Sequence, residues 1–267
     1  MNIDAPRINQ IPALRTLWQE AFGDTDNFLD NFFSTAFNPN RCRNVTMDGN
    51  VAAALYWFDC LYMDRPIAYI YAVSTAKAYR GQGICHELMK NTHEHLRKLG
   101  YEGAILLPGS ESLFQFYESM GYRVCSYIRR FCCNCGTTGV TLRRIDKNEY
   151  ATLRRRFLPE GGVIQEKENL DFLQTQTDFY AGSDFLLTAC SEDDKFLGME
   201  LLGNADAAPK ILYTLGYDEG CFRAPAGSLS NLPNPQCISE EVVPFTMYHP
   251  LGDSFLPLPT YFGLAFD

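Results

Sequence analysis

The strongest fold signal in the chain lies in residues 69–85, which read Tyr69-Ile70-Tyr71-Ala72-Val73-Ser74-Thr75-Ala76-Lys77-Ala78-Tyr79-Arg80-Gly81-Gln82-Gly83-Ile84-Cys85. The apolar run at the start predicts a buried strand, and the glycines lead into a helix from Ile84 to Leu99. A glycine turn of this kind points backbone N–H groups and the positive end of a helix at one spot, which suits an anion such as a pyrophosphate. A purely structural turn fits the loop shape equally well, so the neighbouring elements have to decide.

The segments on either side of this loop alternate between helical and extended patterns, and together they predict an α/β domain with a mixed sheet. The hairpin is indicated by the turn Asp48-Gly49-Asn50, because glycine accepts a positive φ without strain. In chain order the predicted elements are helices over 11–22 and 28–37, strands over 45–47, 51–58 and 67–73, the helix 84–99, a strand over 104–107, a helix from a Ser110 cap to Gly121, and a strand over 122–131.

The loop resembles the acyl-coenzyme A binding motif of the GNAT N-acetyltransferases. That motif reads Arg or Gln, two residues, Gly, one residue, then Gly or Ala, and here its positions are Arg80, Gly83 and Cys85. Cys85 departs from the last position but is itself small. The element order is also similar to that of a GNAT domain and covers about half the chain. A dinucleotide-binding Rossmann domain is excluded, because its glycine loop follows the first strand rather than several strands.

This resemblance implies where acetyl-CoA, as the co-substrate, would bind. In the family the strand before the loop is splayed from its neighbour, and its backbone holds the pantetheine arm and polarises the thioester carbonyl. Ser110 stands where the family often has an asparagine that contacts pantetheine. The implied acetyl-CoA contacts are Val73, Ser74 and Thr75 on the strand, Arg80, Gly81, Gln82, Gly83, Ile84 and Cys85 on the loop, and Ser110 and Glu111 beyond it.

The segment Phe116-Tyr117-Glu118-Ser119-Met120-Gly121-Tyr122 resembles a second GNAT signature, in which a tyrosine four residues before a glycine reaches the coenzyme sulfur. A thiol ionises at a pKa of about 8.5 and a phenol near 10, so a tyrosine can donate or share a proton as the C–S bond breaks. The resemblance therefore makes Tyr117 the general acid. The alternative is that Tyr117 is one more core aromatic residue.

One branch of the GNAT family contains the enhanced intracellular survival acetyltransferases. This sequence resembles that branch in having Ser110-Glu111 followed by Tyr117 and by Gly121-Tyr122. Those proteins carry a second, degenerate GNAT-like lobe and a further domain for which this chain has no room. Here the polar piece Asn134–Gly139 is the candidate boundary, and the order of elements begins again after it. The predicted domains are a GNAT acetyl-CoA-binding domain over residues 1–135 and a degenerate GNAT-like lobe over 140–267, in which no glycine loop opens a long helix. Elements expected in the second lobe are helices over 150–158 and 170–176, strands over 185–190 and 196–202 around Asp193-Asp194, and a connection over 224–236.

The sequence identifies no residue as the general base. In the related branch the C-terminal carboxylate can serve as the base, and here it would be that of Asp267. The favoured alternative is that the apolar end Tyr261–Phe266 forms a closing strand of the second lobe. Glu20, Asp24 and Asp59 are ordinary surface candidates, and an ordered water is the remaining one.

Composition and charge limit the class of protein. The 267 residues, 46% hydrophobic and 21% charged, are those of a folded chain, and the net charge of −9 disfavours a nucleic-acid binder, which needs a basic surface. No segment approaches the roughly 20 apolar residues of a membrane span, and the N-terminus lacks a signal peptide. We therefore expect a cytoplasmic protein whose ten cysteines are reduced thiols.

Several cysteines and histidines raise the question of zinc, but the spacing does not provide a second close pair of ligands. Alternation along a strand, with small thiols facing a core, is the favoured reading of the cysteines. We expect no metal, and we expect His93 and His95, two apart on a helix, to face solvent. The residues concerned are Cys132, Cys133, Cys135, His86, His93 and His95.

These observations predict an N-acetyltransferase that moves an acetyl group from acetyl-CoA to a primary amine by direct attack. The alternative is a non-catalytic acyl-CoA-binding sensor or scaffold that keeps the loop and transfers nothing. The acidic charge favours a cationic acceptor, either a small molecule or a peptide, and no nucleic acid or membrane partner is expected. The identity of the acceptor is left open, as is self-association into a homo-oligomer.

Overall fold

The chain forms two α/β units. A computed structural model describes residues 1–192, 195–228, 237–252 and 256–266. The Asp193-Asp194 turn, residues 229–236 of the predicted connection and Asp267 lie outside the described residues. The first unit consists of Met1–Arg123, Lys167–Phe172 and Met247–Pro257, and the second of Val124–Glu166, Leu173–Thr246 and Leu258–Asp267.

The helices of the first unit begin and end close to where the sequence places them. Gly23 ends the first helix with a φ of 78°, and Thr25 caps the second by accepting from the N–H of Phe28. The helix from Ala208 to Leu215 was not predicted. The described helices are α1 (Ile11–Phe22), α2 (Asp26–Thr35), α3 (Ile84–Lys98), α4 (Glu111–Glu118), α5 (Lys147–Phe157), α6 (Glu168–Leu173) and α7 (Ala208–Leu215).

The strands include each one that the sequence predicts in the first unit, together with several that it does not. The last is 14 residues long and begins at Cys237, directly after the expected connection over 224–236, where no strand was predicted. The described strands are β1 (Asn2–Asp4), β2 (Cys42–Met47), β3 (Asn50–Tyr62), β4 (Arg65–Thr75), β5 (Gly103–Leu106), β6 (Arg123–Asn134), β7 (Arg143–Ile145), β8 (Ile164–Gln165), β9 (Asp178–Ala181), β10 (Phe185–Glu192), β11 (Lys195–Gly203), β12 (Glu219–Pro225) and β13 (Cys237–Pro250).

The sheet of the first unit has the order β1-β2-β3-β4-β5. Its pairs are antiparallel except for β4 and β5, which run parallel. The end of β13, Met247–Pro250, pairs antiparallel with the whole of β5. Each strand of this parallel pair therefore has a further neighbour, β3 beside β4 and β13 beside β5. The glycine loop follows β4.

Side-chain alternation along β3 buries both faces of this sheet. The rings of Trp18 on α1 and Phe32 on α2 lie 5.1 and 5.2 Å from that of Tyr56. The next residue, Trp57, points to the other face, where its ring is 6.0 Å from that of His95 on α3. Because successive strand residues face opposite ways, the sheet is covered by helices on both sides, and β3 is almost fully apolar.

The second unit repeats the mixed plan, with the strand order β7-β9-β10-β11-β12-β6 and a parallel pair, β11 and β12. One face packs against α7 through a cluster that includes Phe131, Phe222 and Ile211. On α5, Arg154 makes a buried bidentate ion pair with Glu200, whose carboxylate also accepts from the hydroxyls of Tyr150 and Tyr261. A buried carboxylate is tolerated here because each oxygen has donors.

The cysteine prediction is wrong for one pair. Cys132 and Cys221 form a disulfide, although they are separated by 89 positions in sequence. They stand directly opposite each other on the antiparallel strands β6 and β12, a proximity that no sequence spacing reveals. The other eight cysteines are free thiols, and Cys133 faces the core as expected.

The end of the chain is buried but does not form the predicted strand. Residues 262–266 have no strand pairing, and Tyr261 makes a single bridge with Gly162. The segment is held instead by the hydroxyl of Tyr261 on Glu200 and by Gln165, which donates to the carbonyl of Leu264 at 2.6 Å. Within the described residues, no helix is long and apolar enough to cross a membrane.

Candidate active site

A bulge interrupts β4 just before the glycine loop. Ala54 pairs with Ser74 and Tyr56 with Tyr71, so Leu55 faces two residues of β4, and Ala72 adopts a φ of +49°. Non-glycine residues rarely take up this left-handed conformation, and bulges of this kind often lie beside active sites. The sequence does not reveal the bulge, because no glycine marks it.

The strand is also splayed from its parallel neighbour. The ladder between β4 and β5 runs from the pair Ile67 and Gly103 to the pair Ile70 and Leu106 and continues no further in the described chain. Val73 and Thr75 lie beyond it and are half-buried, whereas Ser74 is buried with its hydroxyl donating to the carbonyl of Ala54 at 3.4 Å. The gap exposes strand backbone next to the glycine loop.

The loop itself is open and shaped by its two glycines. Gly81 and Gly83 have φ values of +74° and +76°, and a Cβ on either would meet no atom within 4 Å. Gly83 is the N-cap of α3, so the free N–H groups of the first helical turn point outward at this place. Arg80, Gln82 and both glycines are exposed. An anion can therefore approach the backbone here without obstruction.

The base of the loop is tied down by side chains. Arg80 donates through Nε to the carbonyl of Thr75 at 3.0 Å, and Gln82 donates through Nε2 to the carbonyl of Ala78 at 3.4 Å. Glu20 accepts from the N–H of Lys77 at 2.5 Å. Glu20, one of the candidate bases, therefore binds the backbone of the segment that joins β4 to the glycine loop.

The first turn of α3 lies beside Tyr117. Ile84 is buried and Cys85 half-buried, and burial raises the pKa of the Cys85 thiol to about 11, so it carries no negative charge at neutral pH. Tyr117, on α4, is 6% exposed. Burial chiefly, and then the neighbouring Cys85, raise the pKa of Tyr117 above its ordinary value, which keeps the phenol protonated.

The end of α4 explains the spacing of Tyr117 and Gly121. Gly121 has a φ of +88°, and the N–H of Tyr122 donates to the carbonyl of Tyr117 at 3.1 Å. This is a glycine-terminated helix end in which the residue after the glycine packs back on the last turn. The rings of Tyr117 and Tyr122 meet edge to face at 5.8 Å. The motif therefore fixes the position of Tyr117.

Ser110 and Glu111 are both exposed at the start of α4. Ser110 occupies the N-cap position, but its hydroxyl shares a hydrogen bond of 3.1 Å with that of Ser112 and does not cap the helix backbone. The expected side-chain cap is therefore wrong, and the Ser110 hydroxyl stays at the surface.

Two more candidate bases already have hydrogen-bond partners. Asp24 accepts from the indole of Trp18 at 2.7 Å, and Asp59 accepts from the hydroxyl of Tyr101 at 2.5 Å and pairs with Arg41. Asp267 lies outside the described residues.

The prediction that His93 and His95 face solvent is wrong for His93, which is 5% exposed, and His95 is half-buried. His93 lies three residues before Leu96 and four after Met89, on the buried stripe of α3. Its location was therefore readable from helical spacing. Within the described residues, no three His, Cys, Asp or Glu side chains are grouped so that they could hold a metal ion.

Comparison with solved structures identifies the fold. The GCN5-related N-acetyltransferase from Kribbella flavida aligns with a TM-score of 0.69 at 18% identity, over 92% of this chain and 70% of that one. The one from Anabaena variabilis gives 0.71 at 14% identity, over 94% and 73%. Eis1 from Mycobacterium abscessus gives 0.69 at 12% identity, over 94% and 74%. At these identities the likeness shows the fold, which is the GNAT fold that the sequence predicts.

Comparison with family models covers the part of the chain that carries the site. Residues 2–125, just under half of the chain, match the acetyltransferase (GNAT) domain. No curated protein matches the chain by sequence. The matched residues include the bulged strand, the glycine loop and Tyr117. Residues 2–125 of this chain therefore match a GNAT acetyltransferase domain, and the chain has the GNAT fold.

Proposed function

We propose that this protein transfers an acetyl group from acetyl-CoA to a primary amine by direct attack of the amine on the thioester. The observation that carries the proposal is the junction of three features in the first unit: an open glycine loop at the start of α3, a bulged and splayed β4, and a buried, protonated Tyr117 beside Cys85. Each supplies one requirement of acyl transfer from a thioester.

The glycine loop would hold the coenzyme phosphates. Gly81 and Gly83 leave the backbone bare, and the positive end of α3 together with the Arg80 guanidinium gives local positive potential within an acidic protein. Ser110 and Glu111, exposed at the start of α4, would border the pantetheine arm. Ile84 and Cys85 would form the apolar wall under it.

The backbone at Val73–Thr75 would stabilise the reaction centre. As the amine nitrogen bonds to the carbonyl carbon, negative charge develops on the thioester oxygen, and N–H groups from the splayed strand can donate to it. The bulge at Ala72 turns this backbone away from the regular ladder. Collapse of the intermediate breaks the C–S bond and leaves the acetyl group on the nitrogen, which loses its extra proton to water or to a base.

Tyr117 would supply the proton to the departing sulfur, and water would restore it. Its raised pKa makes it a weak acid, but a thiol in the same buried surroundings also has a raised pKa, as Cys85 illustrates. The phenol stays the weaker acid of the two, as at the ordinary values of about 10 and 8.5, so Tyr117 shares its proton with the sulfur as the C–S bond breaks. The acceptor is a cationic amine attracted by the net charge of −9, and the setting is the cytoplasm.

The donor site is tested by calorimetric titration with acetyl-CoA. Gly83→Glu places a carboxylate and a Cβ where the phosphates would sit, and we expect it to weaken binding by roughly 10-fold or more. Gly100→Glu is the matched control, because Gly100 also has a positive φ, of +86°, and open space around its Cβ. Equal affinity in Gly83→Glu and Gly100→Glu would remove the phosphate-loop assignment.

The reaction is tested by thiol release from acetyl-CoA over a panel of a polyamine, an aminoglycoside and a lysine-containing peptide. We expect at least one amine to release free thiol and to gain one acetyl group by mass. Tyr117→Phe should lower kcat by roughly 100-fold, the usual range for loss of a general acid. Tight binding of acetyl-CoA without release on any amine would favour the sensor, and undiminished turnover by Tyr117→Phe would contradict the acid.

A further inference from the structure

A cluster of buried polar rings lies behind Tyr117 in the first unit, and the proposed mechanism does not use it. His93 on α3 and Tyr122, just after α4, share a hydrogen bond of 2.8 Å between Nε2 and the hydroxyl. Tyr122 is 1% exposed. Two buried polar side chains therefore satisfy each other and join α3 to the end of α4.

His249, at the end of β13, closes this cluster. Its ring is stacked on that of His93 at 4.6 Å with an interplanar angle of 21°, and it lies 5.2 Å from the ring of Tyr122. Its Nδ1 is 3.1 Å from the carbonyl of Gly121. Since a carbonyl only accepts, Nδ1 of His249 carries the proton. The turn that follows Tyr117 is therefore held by a strand from the far end of the sequence.

Tyr122 transmits this constraint to Tyr117 in two ways. Its N–H donates to the Tyr117 carbonyl, and its ring meets the Tyr117 ring edge to face, at an angle of 65°. A rotation or shift of Tyr122 would therefore move the phenol of Tyr117. We infer that His93 and Tyr122 are positioning residues that hold the Tyr117 hydroxyl at the thioester sulfur, an inference that rests on the proposed function.

The charged groups around the cluster are compatible with this role. Arg97 lies near both histidines and donates through Nε to the carbonyl of Leu251 at 3.1 Å, and His86 lies near His93. Burial chiefly, and then His249, Arg97 and His86, lower the pKa of His93 to about 3. His93 therefore stays neutral, and its hydrogen bond with Tyr122 is kept over the whole range in which an amine acetyltransferase would be assayed.

The kinetic test compares Tyr122→Phe, which removes only the hydroxyl, with Tyr248→Phe as control. Tyr248 is a buried tyrosine of the same unit, and its hydroxyl donates to the carbonyl of Glu102 at 3.4 Å. We expect Tyr122→Phe to lower kcat by roughly 10-fold, as a small misplacement of a catalytic group does, with KM for acetyl-CoA within about 2-fold. His93→Leu should lower kcat to a similar extent. His93→Gln, which keeps a hydrogen-bonding group, should retain most of the kcat of the unsubstituted protein.

Non-additivity separates positioning from a general loss of packing. In a Tyr117→Phe background, Tyr122→Phe should cost nothing further, because the group that it positions is gone. A full second loss in that background, or an unchanged kcat in Tyr122→Phe itself, would overturn the inference. Thermal melts of each variant identify any that fails to fold.

A second measurement does not depend on turnover. In protein with ¹³C-labelled tyrosine rings, the Tyr117 signal is assigned by its loss in Tyr117→Phe. We expect Tyr122→Phe to shift or broaden this signal and Tyr248→Phe to leave it in place. A shifted signal in a protein that releases no thiol would support the positioning contact while the proposed function fails. An unshifted signal overturns the positioning role whatever the activity.

Discussion

His93 is neutral in the folded protein although an exposed histidine titrates near pH 6.5. Its pKa falls to about 3, chiefly through burial and then through the neighbouring His249, Arg97 and His86. Burial also lowers the pKa of His249. The sequence analysis placed His93 at the surface, although helical spacing from Met89 and Leu96 sets it on the buried stripe of α3. No local signal in the sequence revealed Tyr122 and His249 as its partners. Residues 128 positions apart, Gly121 and His249, meet only after folding.

The burial of His93 predicts a pH dependence of stability. The unfolded chain takes up a proton on this histidine below pH 6.5 and the folded chain does not, so stability is full above pH 6.5 and falls as the pH drops towards 3. The loss from His93 should be about 2 kcal/mol at pH 5. Denaturant unfolding at pH 7.5 and 5 measures it.

His93→Gln is the comparison, because glutamine does not titrate. Its free energy of unfolding should fall less between pH 7.5 and 5 than that of the unsubstituted protein. His86→Gln is the control, since His86 is exposed. Equal losses in all three proteins would contradict the account of His93.

At the scale of elements, the sequence predicted where the helices and strands of the first unit lie, but it did not predict the bulge within β4. Glycines and the Thr25 cap mark the ends of α1 and α2, and the apolar period marks α3. The bulge in β4 has no such mark, because an alanine takes the left-handed position. Strand β13 was missed because its first half is largely exposed and its end pairs with β5, far away in sequence.

The strained alanine leads to a prediction about β4. Ala72→Val puts a β-branched side chain at a φ of +49°, so we expect the free energy of unfolding to fall by roughly 1–3 kcal/mol. Ala72→Gly, which accepts this φ, should unfold at the same or a higher denaturant concentration. Urea unfolding followed by circular dichroism measures both.

Ala78→Val is the control, because Ala78 is exposed and has an ordinary φ. We expect its effect to stay within about 0.5 kcal/mol. If Ala72→Val were as harmless as Ala78→Val, the left-handed conformation at Ala72 would be contradicted.

At the scale of the whole molecule, the sequence predicted the α/β class and the GNAT fold, because the order of elements and the glycine loop are local features. The division into residues 1–135 and 140–267 stays a prediction. The structure draws its first unit from three separate stretches of chain, a property that composition and spacing do not carry. The Cys132–Cys221 disulfide is non-local in the same way.

This disulfide gives a prediction about thiol content and stability. Protein unfolded without reductant should show eight reactive thiols, and ten after reduction. Reduction should lower the free energy of unfolding by about 2–4 kcal/mol, because the bond closes a long loop in the unfolded chain. Cys132→Ser with Cys221→Ser should match the reduced protein, and Cys237→Ser should not. Ten thiols before reduction would contradict the bond.

Because the first unit is assembled from three separate stretches of the chain, its parts are synthesised at different times. Strand β5 receives its partner Met247–Pro250, and the turn at Gly121 receives His249, only after some 250 residues have been translated. The donor loop of residues 80–85 leaves the ribosome long before this. Nascent chains stalled before β13 would thus expose an edge of β5.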